Sequence, residues 1–329
     1  MKTAHKFLIV SLTFLMGCSV GATNWNDDID AESRAQIKTL NEQIIEALYE
    51  NNPQNLQKLF SGQLKEIIGS GLDSLVEKGH YLFRSQNYSL LDEYMSKNSG
   101  IGTIATFSKE LSGEYDYKIN FKVVCKETYV SLMLIENMSR TFLLTCIYGK
   151  YDGVWKLNLI KIGEYAYFKK NAVDFYNQAK LNYEEGNLID AADDMEMFGK
   201  TASPAGEIFQ YQKDQEMKTF ATTVFNEANK KFHMPVKVSL VNTEPQVFNI
   251  GPIPIDEGIF PMVSYISKIN LKDTFALKKE NEELKNVIGN VFPGIEKGKK
   301  YVFFQAYNET STGEISLEHY GFVLVTSEQ

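Results

Sequence analysis

The sequence predicts an α+β protein: helices packed on an antiparallel sheet, a helical connector, and a second, smaller α+β domain. Three observations carry that. Apolar residues recur at helical spacing from Ile29 to Val76, and the period changes to two between Gly102 and Tyr165. Helical patterning returns from Phe168 to Phe232, and strand-like runs then resume around a single helix.

In the first helical block, Ile37, Leu40, Ile44, Ile45 and Leu48 share one face, Asn51-Asn52-Pro53 breaks it, and Gly69 and Gly71 mark a kink. "SLLDEYMSKN" (89–98) reads as one more helix before Gly100. "GTIATFS", "YDYKINFKVVC", "YVSLMLIE", "TFLLTCIYGKY" and "VWKLNLIKIGEY" then read as one meander, with Asp152-Gly153 as a hairpin turn. In the last third, "VKVSLVNT", "QVFNI", "FPMVSYISKINL", "KYVFFQAYNE" and "HYGFVLV" read as strands. Asp273 is placed to cap a helix bearing Phe275, Leu277, Leu284, Ile288 and Val291 on one face. "NIGPIPIDEGIFP" reads as an irregular loop rich in proline and glycine. The expected boundaries are a leader over 1–17, a flexible tether over 18–28, an α+β domain over 29–168, a helical connector over 169–233 and a C-terminal domain over 234–329.

The leader has Lys2 and Lys6 ahead of an apolar run from Phe7 to Met16, too short to span a bilayer core that needs about 20 residues. It ends in Leu15-Met16-Gly17-Cys18, which resembles the lipobox of bacterial lipoproteins. The resemblance implies that Cys18 carries a diacylglycerol and becomes the first residue of the mature chain. The implied partner is a lipid bilayer, reached through Cys18, and the implied location is the cell envelope. Ser19 stands where an inner-membrane retention signal has aspartate, which implies the outer membrane in a Gram-negative source. Two or three acyl chains, at about 0.8 kcal/mol per buried methylene, make a durable anchor where one does not.

Two further resemblances concern fold. Helices feeding a sheet that closes with "GKYDGVWKLNLIKIGEY" look like the nuclear-transport-factor-like cone fold over 29–168, implying a curved sheet. Tyr176, Ala179, Tyr183, Ala192 and Pro204 fall on the spacing of a single tetratricopeptide unit, although Lys180 and Glu196 depart from it. A single unit forms no stacked groove, so a helical hairpin joining two domains is the simpler expectation.

The net charge of −8 becomes −10 once the leader's two lysines are removed, and no basic run opposes it, which argues against nucleic-acid binding. His5, His80, His233 and His319 have no zinc-type spacing. No serine elbow, phosphate loop or dinucleotide fingerprint is present. No cofactor, metal site or catalytic residue is therefore assigned. Asp190, Asp193, Asp194 and Glu196 interrupt a helical pattern with Ala191, Ala192, Met195 and Met197, and read as a solvated helix face rather than a cation site. In a simple meander Cys125 and Cys146 stand two strand spacings apart, about 9 to 10 Å, so two free thiols are expected.

Tyr115, Tyr117 and Phe121 alternate along one run, Tyr129 begins the next, and Tyr151 and Trp155 flank the hairpin. Packing against the amino-terminal helices is the first expectation for these rings. The second is a ligand pocket lined by Tyr115, Tyr117, Tyr129 and Trp155. Cone-fold relatives that are enzymes use a buried acid or histidine, and Asp116 points away from its neighbouring tyrosines. The functional expectation is a membrane-anchored envelope lipoprotein that binds an envelope protein or a small ligand without catalysis. The alternatives are an isomerase- or hydrolase-type enzyme with a pocket in the first domain, and an immunity or inhibitor protein.

Overall fold

A computed structural model describes residues 23–108, 113–309 and 318–326. The leader, Cys18 and the first part of the expected tether lie outside the described residues.

The chain opens with β1 (Thr23–Trp25), a 3-10 turn, α1 (Ala31–Tyr49), α2 (Pro53–Lys58), α3 (Gly62–Ile68) and α4 (Leu72–Leu82). The strands β2 (Ser89–Lys97), β3 (Ile104–Ser108), β4 (Tyr117–Lys122), β5 (Glu127–Asn137), β6 (Arg140–Tyr151), β7 (Val154–Tyr167) and β8 (Lys170–Asn171) follow. Next come α5 (Ala172–Glu184), α6 (Leu188–Thr201), β9 (Phe209–Tyr211) and α7 (Asp214–Phe232). The chain closes with β10 (Val236–Lys237), β11 (Gln246–Ile255), β12 (Gly258–Ile266), α8 (Thr274–Val291), β13 (Tyr301–Tyr307) and β14 (Tyr320–Val325). The architecture is the expected α+β arrangement: a curled antiparallel sheet with helices, a helical connector and a second α+β unit.

Local chemistry explains the helix boundaries. Asp30 caps α1 by accepting from the Ser33 amide at 2.8 Å, and Asn52 caps α2 ahead of Pro53. Ile37, Ile44, Ile45 and Leu48 are fully buried. Gly69, at φ +48°, ends α3 in the expected kink. Asp273 accepts from the Ala276 amide at 3.0 Å and starts α8, whose Leu277, Leu284 and Ile288 are buried. Phe275, expected on that face, is 82% exposed.

The largest sheet has the order β1-β2-β5-β6-β7-β8, all antiparallel. Bulges in the β2–β5 pair and two in the β6–β7 pair bend it. Asp152 and Gly153 both hold positive φ, 50° and 83°, as a type I′ hairpin requires. Tyr129, Met133, Leu144 and Tyr148 bury one face against α1 to α4, while Val130, Leu132, Leu143 and Ile147 bury the other. A polar link crosses the first core: the Asn41 amide donates to Ser131 Oγ at 2.9 Å and accepts from the Tyr148 hydroxyl at 2.6 Å.

Four sequence expectations are corrected. The segment expected as a helix over 89–98 is strand β2, because β1 and β5 pair with its two edges while Tyr94 and Met95 bury on opposite faces. The meander is not one sheet. The β3–β4 hairpin joins β9 in a separate three-stranded sheet that, with α5 to α7, shares the second core, since β5 and β6 are apolar on both faces and need covering on both.

The tether over 18–28 is shorter than expected. β1 pairs with β2, Trp25 packs edge-on to Tyr94 at 4.8 Å, and Asn26 Oδ1 accepts from the Glu93 amide at 2.7 Å. Finally, "NIGPIPIDEGIFP" is not an irregular loop but the β11–β12 hairpin, in which Pro252 faces Pro261. Both prolines lie in its distal half, beyond the stretches paired with β10 and β13, so no outer neighbour loses a donor. The C-terminal sheet runs β10-β11-β12-β13-β14, with β12 and β13 parallel through the α8 crossover.

Cys125 and Cys146 are free and buried. Cys125 follows β4 rather than lying within it, and burial pushes the Cys146 thiol up to about 12.

Candidate functional site between the connector and the C-terminal domain

The four aromatic residues singled out in the sequence do not converge. Tyr129 and Trp155 meet edge-on at 6.0 Å in the core beneath α1 to α4. Tyr117 packs on the opposite face of the large sheet, stacked on Phe209 at 4.5 Å, with its hydroxyl donating to Asp92. Tyr115 is 51% exposed and donates to Asp174 Oδ1 at 2.7 Å, next to the capping box that starts α5. Tyr129 and Trp155 pack against the amino-terminal helices, whereas Tyr117 packs in the second core and Tyr115 stays half exposed, so the first expectation describes two of the four.

A groove of about 940 Å³ does open in the first domain, between α1 and β2, lined by Arg34, Lys38, Asn41, Glu42, Tyr88 and Glu93. Glu93 is buried, and its carboxyl is raised above the ordinary range by burial, offset by the Tyr129 hydroxyl and by Arg34 at 3.6 Å. Sequence reasoning missed both Asp92 and Glu93, since the segment carrying them was read as a helix and their alternation across a sheet was hidden.

A cleft of about 570 Å³ lies between the connector and the C-terminal domain. One wall is α6. Asp190, Asp193, Asp194 and Met197 stand at i, i+3, i+4 and i+7, one stripe of the helix, and all line the cleft. A second stripe, Leu188, Ala191, Met195 and Phe198, is buried in the connector core. The solvated face expected for the acids is therefore overturned for three of them, because α6 is covered on two sides. Asp190 is buried, Asp193 and Asp194 are half-buried, and Glu196 is exposed and paired with Lys200 at 3.0 Å.

The opposite wall is the distal half of the β11–β12 hairpin, through Gly258, Phe260 and Pro261, with Lys297 and Lys299 from the segment after α8. The β7–β8 turn supplies Phe168, and β8 supplies Lys170. Phe168 and Lys169 hold φ of 50° and 63°, a left-handed conformation that costs a non-glycine residue about 1–2 kcal/mol each. The connector can approach the large sheet this closely because position 163 is glycine: a Cβ there would stand 2.1 Å from the Pro204 carbonyl oxygen.

The acids differ in their partners. Asp190, 8% exposed, pairs with Lys299 at 3.2 Å. Asp194 accepts from the Asn182 amide at 2.7 Å, and burial lifts its carboxyl to about 6. Asp193 makes no hydrogen bond or ion pair with a described residue. Burial, then the charges of Asp190 and Glu196, hold its carboxyl well above the usual range. Among the described residues no group of three or more His, Cys, Asp or Glu is placed to hold a metal ion. The stripe spacing was visible in the sequence; the hairpin that covers it came from a segment read as a loop, and the segment carrying Lys297 and Lys299 was assigned no element.

No protein-family model, curated protein or solved structure matches the chain.

Proposed function

We propose that the protein is a lipid-anchored, non-catalytic binding protein of the bacterial cell envelope, with its ligand site in the cleft between the connector and the C-terminal domain. The observation that carries this reading is Cys18 behind Leu15-Met16-Gly17 at the end of an apolar leader. Among the described residues no helix is long and apolar enough to cross a membrane, which agrees with attachment through lipid. The helices feeding a curled sheet support the likeness to the cone fold over 29–168, and the α5–α6 hairpin supports the likeness to one tetratricopeptide unit.

Docking of β1 from Thr23 onward shortens the reach of the anchor. Four residues lie between Cys18 and Thr23, and the five Cα steps span at most about 18 Å of extended chain. The β1–β2 edge is accordingly held close to the lipid surface. The test is Cys18→Ser with membrane fractionation and mass spectrometry of the amino-terminal peptide. The expected result is a diacylglyceryl adduct on Cys18 and release of the variant from membranes; an unmodified thiol, or a variant that still fractionates with membranes, overturns the placement.

A second reading, an isomerase- or hydrolase-type enzyme in the first domain, draws on buried Glu93 at the α1–β2 groove with its raised titration. The Arg34 pair gives Glu93 a structural role already. Turnover of an ester or a ketosteroid probe, lost in Glu93→Gln, would favour the enzyme.

A further inference from the structure

We propose that the cleft between α6 and the β11–β12 hairpin binds a small zwitterion, with its ammonium group seated at Asp193 and Asp194 and its anionic group held at the mouth by Lys170 and Lys297. This deepens the binding reading above by naming the ligand class of that site.

Among the charges of the cleft without an ion pair, Asp193 and Asp194 are half-buried, while Glu185, Lys170 and Lys297 are exposed at its mouth, where the lysines outnumber the acid. Asp190 is neutralised by Lys299, whereas Asp194 has one neutral donor, Asn182, and Asp193 has none. Lys170 and Lys297 are exposed, and neither is ion-paired with a described residue. Phe168, Phe175 and Phe260 contribute apolar surface to the same lining. A partly buried carboxylate without a partner is costly until a cation reaches it. A simple anion is repelled by Asp193 and Asp194, and a simple cation leaves the two lysines of the mouth uncompensated. A molecule carrying both charges satisfies both ends, and a volume near 570 Å³ lies within the range of small-molecule sites, about 300–1,000 Å³.

Binding is coupled to protons. Asp193 and Asp194 are faced by Asp190 and Glu196 of their own helix, by Asn182 and Glu185 of α5 and the turn after it, by Lys170 of β8, and by Lys297 and Lys299 after α8. The ammonium group stabilises the ionised carboxylates, so affinity falls as the pH drops below about 6.

The test is calorimetric titration of the full-length protein in detergent with L-alanyl-L-alanine, putrescine and succinate, at about pH 7 and about pH 5. The expected result is binding of the dipeptide, weakened about tenfold or more at the lower pH and in Asp193→Asn, and about threefold or more in Lys297→Gln. No heat from the dipeptide, or tighter binding of putrescine or succinate, overturns the proposal. Asp193→Asn removes repulsion from Asp190 and Glu196, so it is expected to melt at or above the parent temperature, which confirms its fold. The Lys170→Gln/Lys297→Gln pair, on exposed positions, provides an independent arm: unchanged dipeptide affinity there also overturns the proposal. A Cys18→Ser protein assayed alongside separates the two claims, since failed anchoring leaves dipeptide binding intact and a failed site leaves fractionation intact.

Discussion

Helices α6 and α8 both turn acids inward on a stripe of the same spacing, yet into different surroundings. On α6 the stripe is Asp190, Asp193, Asp194 and Met197, and it faces a cleft with three lysines. On α8 it is Leu277, Glu280, Asn281, Leu284 and Ile288, packed in the C-terminal core. Glu280 is 2% exposed, and among the described residues neither of its carboxylate oxygens nor the Asn281 side chain has a hydrogen-bond partner. Stripe position therefore decides that a side chain is covered, and the covering segments decide what its charge can do. A carboxylate beside an open, lysine-lined cleft is available to a ligand; one in a closed core only costs stability.

The largest effect that breaks this comparison is expected at Gly163, where docking of the connector depends on the missing Cβ. Gly163→Ala forces apart the β7 backbone and the Pro204 carbonyl, and is expected to cost at least about 3 kcal/mol in urea unfolding. A silent substitution would mean that the connector is not pressed onto the sheet.

Next comes pH. The folded-state value for Asp194, about 6, lies above its ordinary 3.8, so the folded protein keeps a proton through a range in which the unfolded chain has released it. The cost of ionising it is absent below 3.8, grows as pH rises, and is complete above about 6, reaching roughly 3 kcal/mol. The stability difference between the protein and Asp194→Asn should follow that course in paired denaturation curves, with the variant gaining as pH rises. A flat difference would place Asp194 in solvent.

The α8 acid behaves differently under the same logic. Glu280→Met is expected to stabilise by about 2 kcal/mol, read as a higher urea midpoint at unchanged slope, because it replaces an unpartnered buried carboxylate with an apolar chain of similar volume. Destabilisation would show that Glu280 has a partner. The smallest effect is expected at the cleft edge: Lys169→Gly relieves a left-handed backbone and should gain about 1 kcal/mol in thermal unfolding.

Much of the fold was legible because its signals are local. The Asp273 cap, the Asn51-Asn52-Pro53 break, the Gly69 kink and the Asp152-Gly153 turn each act within a few residues. What failed was non-local. "SLLDEYMSKN" contains good helix formers and becomes a strand because β1 and β5 take its edges, and with that misreading Glu93 disappeared from view. The period of two in "YDYKINFKVVC" identified a strand but not its sheet, so Tyr117 was grouped with Tyr129 although they lie on opposite faces of the large sheet. The three α6 acids were written at one-face spacing, but nothing local revealed that a proline-bearing hairpin and two lysines from 60 or more residues downstream would cover them.

The central claim, that the α6 acids line a cleft that partly covers them, is tested most directly by a carbon-13 NMR titration of the aspartate carboxyl groups, assigned with Asp190→Asn, Asp193→Asn and Asp194→Asn. The account predicts that Asp194 titrates near 6 and Asp193 well above the ordinary carboxylate range. If all three titrate near 3.8, α6 presents them to water and the cleft is not there to be filled.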